Sequence, residues 1–137
     1  MRVMVIVKAS KDSEAGMLPD ATILIEMGAF NEQLAKAGVL VAADGLTPSS
    51  KGKRVKFNGP ERIVIDGPFA DTKELIAGYW IWKVKSLDEA VEWLKKAPFG
   101  GGMEIELRPI QELDDFGPEF TAELRAQEEK LRKQVAG

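Results

Sequence analysis

The chain has 137 residues, a length typical of one domain, and its 19 Lys and Arg against 22 Asp and Glu residues give a net charge of −3. It contains no cysteine and no histidine, which excludes disulfides, thiolate or imidazole metal ligands, and Ser-His-Asp or Cys-His catalysis. Because the sequence has no basic stripe, no signal-peptide pattern and no long apolar run, we expect no nucleic-acid partner, no membrane association and a cytoplasmic location.

The first part of the chain predicts a strand, a helix and a second strand. Residues 3–7 are apolar and rich in β-branched side chains, as in a central strand, and the polar residues 8–18 predict a loop. Asp20 is the predicted N-cap of a helix that ends before Gly38, and residues 39–43 form the second strand. The helix has one apolar stripe, formed by Ile23, Met27, Phe30 and Leu34.

The middle of the chain predicts a hairpin and an aromatic strand. Residues 54–57 and 62–65 flank an Asn-Gly turn signal, in which Pro60 favours a four-residue turn over a two-residue turn. Residues 79–84 have the aromatic and β-branched content of a strand. Strand alternation places Tyr79 and Ile81 on one face and Trp80 and Trp82 on the other.

The last part predicts a helix, a strand and a second amphipathic helix. Ser86 and Glu89 form a capping-box pattern that opens a helix, and Pro98 ends it. Residues 103–109 then alternate, with Glu104, Glu106 and Arg108 on the polar face. After Gly117-Pro118, residues 118–135 predict a helix with a stripe of Phe120, Leu124, Leu131 and Val135, which we expect to pack on a dimer, across to the other subunit.

This order of elements predicts an α+β fold within a single domain over residues 1–137. We expect a ferredoxin-like split βαβ core over residues 1–110, with an inserted β-hairpin, followed by the C-terminal helix. The expected core is one antiparallel sheet with two helices on one face.

Motifs spread along residues 1–110 resemble, in order, those of the YCII-related family, in particular the branch named after its Asp-Gly-Pro-Phe signature. The matching segments are MGAFNE at 27–32, AGVL at 37–40, GLTPS at 45–49, DGPFADTKE at 66–74, SLDEA at 86–90 and EIELRP at 104–109. The resemblance implies a dimeric α+β barrel in which the sheet faces of two chains meet. It implies no established reaction.

Some members of the wider family carry a His-Asp pair in the cleft. The position of that histidine falls near Met27 here, and the chain has no histidine. Related dimeric barrels include cofactor-free isomerases and monooxygenases of small oxygenated rings, so the resemblance is compatible with an enzyme that needs neither cofactor nor metal.

The segment from Asp66 to Glu74 is the first candidate site. Asp66, Phe69, Lys73 and Glu74 could line a cleft in which Lys73 binds an anionic group. In the alternative interpretation, Asp66-Gly67-Pro68 is turn chemistry: Asp66 caps backbone N–H groups, and Phe69 closes one end of the core.

Asp44, Glu106 and Arg108 are the candidate catalytic residues, because we expect the sheet to bring Asp44 near Glu106 or Arg108 and dimerisation to shield these charges. Asp44 could instead end a strand, and the other two could be solvated. Glu26 and Trp80 are further ligand-binding candidates. The alternatives are a solvated helix position for Glu26 and core packing for Trp80.

Two functions remain open from the sequence. The first is a cofactor-free small-molecule enzyme of isomerase or lyase type, or a ligand-binding protein, with its pocket in the dimeric barrel. The second is a non-catalytic regulatory or protein-interaction module. Substrate, product and protein partner are beyond what the residue pattern indicates.

Overall fold

The computed structural model of the protein describes residues 1–136, which contain six strands and four helices. Their bounds are β1 (Arg2–Lys8), α1 (Lys11–Glu14), α2 (Ala21–Lys36), β2 (Leu40–Gly45), β3 (Lys53–Asn58), β4 (Glu61–Asp66), β5 (Ile76–Lys83), α3 (Leu87–Lys95), β6 (Ile105–Pro109) and α4 (Ala122–Ala136). Short 3₁₀ turns occur at Ser49–Lys51, Thr72–Glu74 and Leu113–Asp115. No helix among residues 1–136 is both long and apolar enough to cross a membrane.

Four strands form the main sheet in the order β2-β5-β1-β6, and every neighbouring pair is antiparallel. With α2 and α3 as the crossover helices, this is the predicted ferredoxin-like α+β arrangement. β3 and β4 form a separate two-stranded sheet, so the expectation of one sheet is wrong. The reason is that the hairpin is inserted between β2 and β5, which already pair with each other, and all of its residues remain exposed.

The core lies between the main sheet and the two crossover helices. Alternate residues of β1 and β5 point into it, and Trp82, Leu34, Val3 and Val5 are its largest fully buried side chains. Trp80 is 5% exposed on the same side, so the prediction that Trp80 and Trp82 share a face is confirmed. Phe30 from α2 contacts both indoles edge to face, with ring centroids 5.9 and 6.2 Å away.

The helix α2 begins and ends as predicted, but its apolar stripe is only half buried. The backbone N–H of Ile23 donates to Asp20 Oδ1 at 2.9 Å, and Gly38 follows the helix with a φ of +73°. Phe30 and Leu34 are buried, whereas Ile23 is 44% exposed. The first two turns of α2 therefore border an open space instead of the core.

Two loops differ from the sequence prediction. The segment over residues 8–18 contains the short helix α1, because Ser10 and Ser13 cap each other through their hydroxyl and backbone groups at 2.8 and 3.1 Å. The β3–β4 turn has two residues and not four, since Asn58 pairs with Glu61. Gly59 takes a φ of +57° at the first turn position, which leaves Pro60 in the second position, where a negative φ is required.

The helix α3 starts at the predicted cap, and α4 starts four residues later than predicted. Ser86 Oγ accepts from the N–H of Glu89 at 3.1 Å. Thr121 Oγ1 accepts from the N–H of Leu124 at 3.2 Å and so caps α4. Gly117-Pro118 forms the turn before this helix, and Phe120 packs on Phe116 at 4.7 Å instead of continuing the α4 stripe.

Candidate functional site

A cavity of about 440 Å³ lies between the first turns of α2 and the strands β2 and β5. Ile23, Leu24 and Met27 form its helix wall, and Trp80 and Phe99 form aromatic walls. The cavity is mainly apolar and open on one side, because the first turns of α2 extend past the packed core. Its volume lies within the range of pockets that bind small organic molecules, roughly 300–1,000 Å³.

Asn31 supplies one polar group to this cavity. Its Oδ1 atom accepts a hydrogen bond from the buried indole Nε1 of Trp80 at 2.8 Å. Because the oxygen accepts the hydrogen bond of the indole N–H, the amide nitrogen of Asn31 is oriented as a donor for a ligand. Sequence pattern does not indicate a site role for Asn31, because it follows the core residue Phe30 and nothing near it in the chain predicts a contact with β5.

Asp44 and Tyr79 belong to the strands that border the cavity, and their side chains form a polar pair on the sheet face opposite α2. They are register partners on β2 and β5, and the Tyr79 hydroxyl donates to Asp44 Oδ2 at 3.0 Å. The hydrogen bond to the Asp44 carboxylate, its negative charge and partial desolvation together raise the pKa of Tyr79. Tyr79 is therefore a neutral phenol at pH 7 that can donate a hydrogen bond, and Asp44 is the acceptor beside it.

Gly78 lets the strands that carry this pair come close together. A Cβ atom at Gly78 would lie 3.0 Å from the carbonyl oxygen of Asp44 and 3.4 Å from the Cα atom of Gly45. A side chain here would require the Asp44 backbone to shift by a few tenths of an ångström, so glycine favours the close approach of β5 to β2.

The predicted catalytic residues do not meet within one chain. Asp44, Tyr79, Ile6 and Glu106 are successive partners across β2, β5, β1 and β6. Three strand spacings separate Asp44 from Glu106, or roughly 14 Å. The expectation that the sheet brings Asp44 near Glu106 or Arg108 is wrong, because β2 and β6 are opposite edges of the sheet.

Glu106 and Arg108 instead form a charge cluster on β6. Glu106 lies 3.7 Å from Lys8 Nζ and 3.3 Å from an Arg108 guanidinium nitrogen. Of the two ligand-binding candidates outside the loop, Trp80 lines the cavity and is part of the core. Glu26 is exposed on α2, outside the set of described residues that line the cavity.

The signature loop, residues 66–74, is held by Ser49. Ser49 Oγ accepts from the N–H of Phe69 at 3.0 Å, and its own hydroxyl donates to the Glu14 carboxylate, which also accepts from the Ser49 N–H at 2.9 Å. These hydrogen bonds from the Ser49 side chain and backbone lower the pKa of Glu14. One serine therefore connects α1, the 3₁₀ turn and the signature loop.

The side chains of the loop make contacts that the sequence did not predict. Asp66 forms an ion pair with Lys53 across the hairpin at 2.5 Å, so its predicted role as a backbone cap is wrong. Phe69 is half-buried beneath the Arg54 guanidinium, 3.9 Å from the ring centroid, and does not close the core. Lys73 and Glu74 are exposed in the 3₁₀ turn. All four lie outside the set of described residues that line the cavity.

A second cleft of about 660 Å³ adjoins the first. It lies between α1 and the 46–51 loop, and it shares Pro19, Gly45 and Ala77 with the cavity. Within residues 1–136 no group of three or more His, Cys, Asp or Glu side chains is arranged to hold a metal ion.

Comparisons with known proteins give the following matches. The family model described as the YCII-related domain matches residues 1–114. An uncharacterised protein of Rhizobium meliloti (strain 1021) is 32% identical over 95 residues, which are 66% of this chain and 75% of that protein.

Among solved structures, the chain is similar to a 5-chloro-2-hydroxyhydroquinone dehydrochlorinase from Burkholderia phenoliruptrix AC1100 in complex with 2,5-dihydroxybenzoquinone. The identity is 16%, the TM-score is 0.40, and the match covers 85% of this chain and 100% of that chain. A likeness at this level supports no conclusion about function.

Proposed function

The chain belongs to the YCII-related domain family, and we propose that it binds a small organic molecule at the β2–β5 edge of the main sheet, beside the cavity, where Asp44 and Tyr79 bind it or transfer a proton. The observation that carries this proposal is the hydrogen-bonded Asp44–Tyr79 pair on the open face of the sheet, at the β2–β5 edge that also borders an apolar cavity. Asp66-Gly67-Pro68-Phe69 also supports membership of the branch with that signature.

The chemistry follows from the protonation states of the pair. The raised pKa keeps Tyr79 protonated at neutral pH, so it can donate to a ligand oxygen that gains negative charge. Asp44 can then accept a proton from a neighbouring C–H or O–H group. This is the chemistry of isomerases and lyases that need no cofactor.

We propose that a second copy completes the site through the open face of the main sheet. Met4, Ile6, Tyr79 and Ile81 share this face by strand alternation. A two-fold axis parallel to the strands brings the open faces of two sheets together. It sets β2 of one chain opposite β6 of the other and keeps each residue at the same height along the strands. Asp44 would then face Glu106 of the second copy, with Arg108 of the second copy beside it.

Asp44 is far from Glu106 and Arg108 within one chain. In this homodimer the three predicted catalytic residues would come together in one site. Light scattering is expected to give about twice the 15.0 kDa of one chain. A monomer at micromolar concentration would refute the shared site. Ligand contact by Glu26, Asp66, Phe69, Lys73 and Glu74, and the cytoplasmic location, stay predictions.

The ligand site is tested by thermal denaturation with a panel of small carboxylates, lactones and phenols. A ligand at 100 times its Kd stabilises the native state by about 2.7 kcal/mol. We expect one class of compound to raise the melting temperature of the wild type and of Asp88→Asn, a matched control at an exposed position of α3, but not of Asp44→Asn. The proposal fails if no compound acts, or if Asp44→Asn responds like the wild type.

A second candidate function, a protein-interaction module, is favoured by the β3–β4 hairpin. Its side chains Phe57, Val64 and Val55 are 71%, 60% and 50% exposed, and an isolated two-stranded hairpin is marginally stable in water. Under this function, a stoichiometric protein co-purifies from the native cell with the wild type and is lost with Phe57→Ser. If the protein instead binds a small molecule, no such protein co-purifies and a ligand shifts the melting temperature.

A further inference from the structure

The helix α4 contacts its own chain through charged residues and leaves its apolar stripe exposed beside that contact. Arg132 lies 3.4 Å from Glu112, and Arg125 pairs with Asp114. Arg125, Glu128 and Arg132 are the least exposed positions of α4, although they are charged. Its apolar residues Leu124, Leu131 and Val135 are 45%, 46% and 88% exposed. An amphipathic helix in water normally has the opposite orientation.

The apolar residues of α4 are spaced for packing against another helix. Leu124 and Leu131 are seven residues apart, or about 10.5 Å along the helix axis. Seven-residue spacing is that of one of the two seam positions in a coiled-coil heptad, and it keeps both leucines on one line of contact. A helix with the same spacing is therefore a suitable partner.

The charges of α4 divide between its two halves. Residues 122–129 carry three carboxylates, Glu123, Glu128 and Glu129, and one arginine. Residues 130–136 carry Lys130, Arg132 and Lys133 and no carboxylate. Two such helices attract each other when they run antiparallel, whereas in a parallel pair the like-charged halves would lie together.

We propose that α4 packs antiparallel against α4 of a second copy of this chain. Centred between the two leucines, this pairing sets Leu124 against Leu131 of the second copy, and Leu131 against Leu124. Glu123 and Lys130 lie on the same flank of the stripe, seven residues apart, so Glu123 of each chain faces Lys130 of the other. The contact repeats itself about a two-fold axis, as an isologous interface requires.

Leu124 and Leu131, which form this contact, are not among the residues of the open sheet face, so a tetramer results where the two contacts join different pairs of chains. A helix of 15 residues is only about 22 Å long, and the area it buries is below that of a standard interface. Association through α4 should therefore be weak and depend on protein concentration.

Sedimentation equilibrium of the full-length chain tests the proposal, from about 10 to about 500 µM, the range in which a small interface dissociates. Leu131→Lys should halve the mass of the largest species. Ala126→Lys, which adds the same charge on the opposite side of α4, should leave it unchanged. Equal masses for the wild type and Leu131→Lys at every concentration overturn the proposal. Circular dichroism verifies that both variants fold.

A charge exchange tests the antiparallel direction. Lys130→Glu alone sets a second carboxylate against Glu123 of the other chain and should weaken association about threefold or more, since like charges destabilise such pairs by a few tenths of a kcal/mol each. Adding Glu123→Lys restores the attraction and should recover the wild-type dissociation constant. If the double variant associates no better than Lys130→Glu, the antiparallel pairing is wrong.

Discussion

Gly67→Ala should destabilise the protein strongly, although Gly67 lies in an exposed loop. A Cβ atom there would lie 1.7 Å from the carbonyl oxygen of Ser49, where an ordinary contact is 3.4 Å or more. The distance from this Cβ atom to the carbonyl oxygen is half that of an ordinary contact, so the backbone of the signature loop must move. That movement breaks the hydrogen bonds from Gly67 N–H to the Gly52 carbonyl and from Phe69 N–H to Ser49 Oγ, both 3.0 Å long.

The expected loss can be worked from these contacts. Two hydrogen bonds contribute about 1 kcal/mol each, and a forced backbone shift adds about 1–2 kcal/mol. The free energy of unfolding should therefore fall by roughly 3 kcal/mol, a large share of the roughly 5–15 kcal/mol typical of a domain.

Urea denaturation at pH 7 provides the assay. The matched control is Gly28→Ala, the same change within α2, where an added Cβ meets nothing within 4 Å. It should stabilise the protein by about 0.5–1 kcal/mol, because alanine is the better helix former. If Gly67→Ala unfolds within about 0.5 kcal/mol of the wild type, the effect of an ordinary surface substitution, the signature loop is not held by this contact.

Three further predictions concern polar contacts. Asn31→Ala leaves the Trp80 indole N–H buried without its acceptor and should cost about 1–3 kcal/mol in urea denaturation. Asp44→Asn should lower the pKa of the chain's single tyrosine, measured by ultraviolet difference absorbance; an unchanged pKa would show that the pair does not form. Hydrogen bonding from Arg2, above all, lowers the pKa of Glu112 from its usual 4.5. Its ion pairs therefore stabilise the fold above about pH 4.5 and are lost as pH falls through the lowered pKa. The stability difference between wild type and Glu112→Gln should shrink steadily as the pH is lowered below this point, and a difference independent of pH would contradict this assignment.

The sequence predicted the main elements because their signals are local. Only residues close together in the chain determine these signals, which are the alternation of β5, the Asp20 cap of α2 and the Ser86 cap of α3. The errors fall where two local signals compete. Pro60 disfavours a two-residue turn by its type, but Gly59 allows one. Gly117-Pro118 has the pattern of a helix start, but Thr121 caps the helix.

The candidate site was only partly predictable. Asp44 and Trp80 were identified from residue type, and both line the cavity. The partner of Asp44 was not identified, because the order of strands decides that Tyr79 lies beside it and that Glu106 lies at the far edge. Asn31 lies in one of the family-matching segments, but no local pattern indicates its hydrogen bond with Trp80.

Residue pattern alone determined the α+β class, the alternation of the aromatic strand and the exclusion of histidine and cysteine chemistry, since periodicity and composition are properties of the chain itself. Tertiary structure alone decided which polar groups meet: Asp44 with Tyr79, Asn31 with Trp80 and Ser49 with the signature loop. These contacts join residues 20 to 49 positions apart in the chain. Only the pairing order of the strands and the path of the inserted hairpin bring such distant residues within hydrogen-bonding distance of each other.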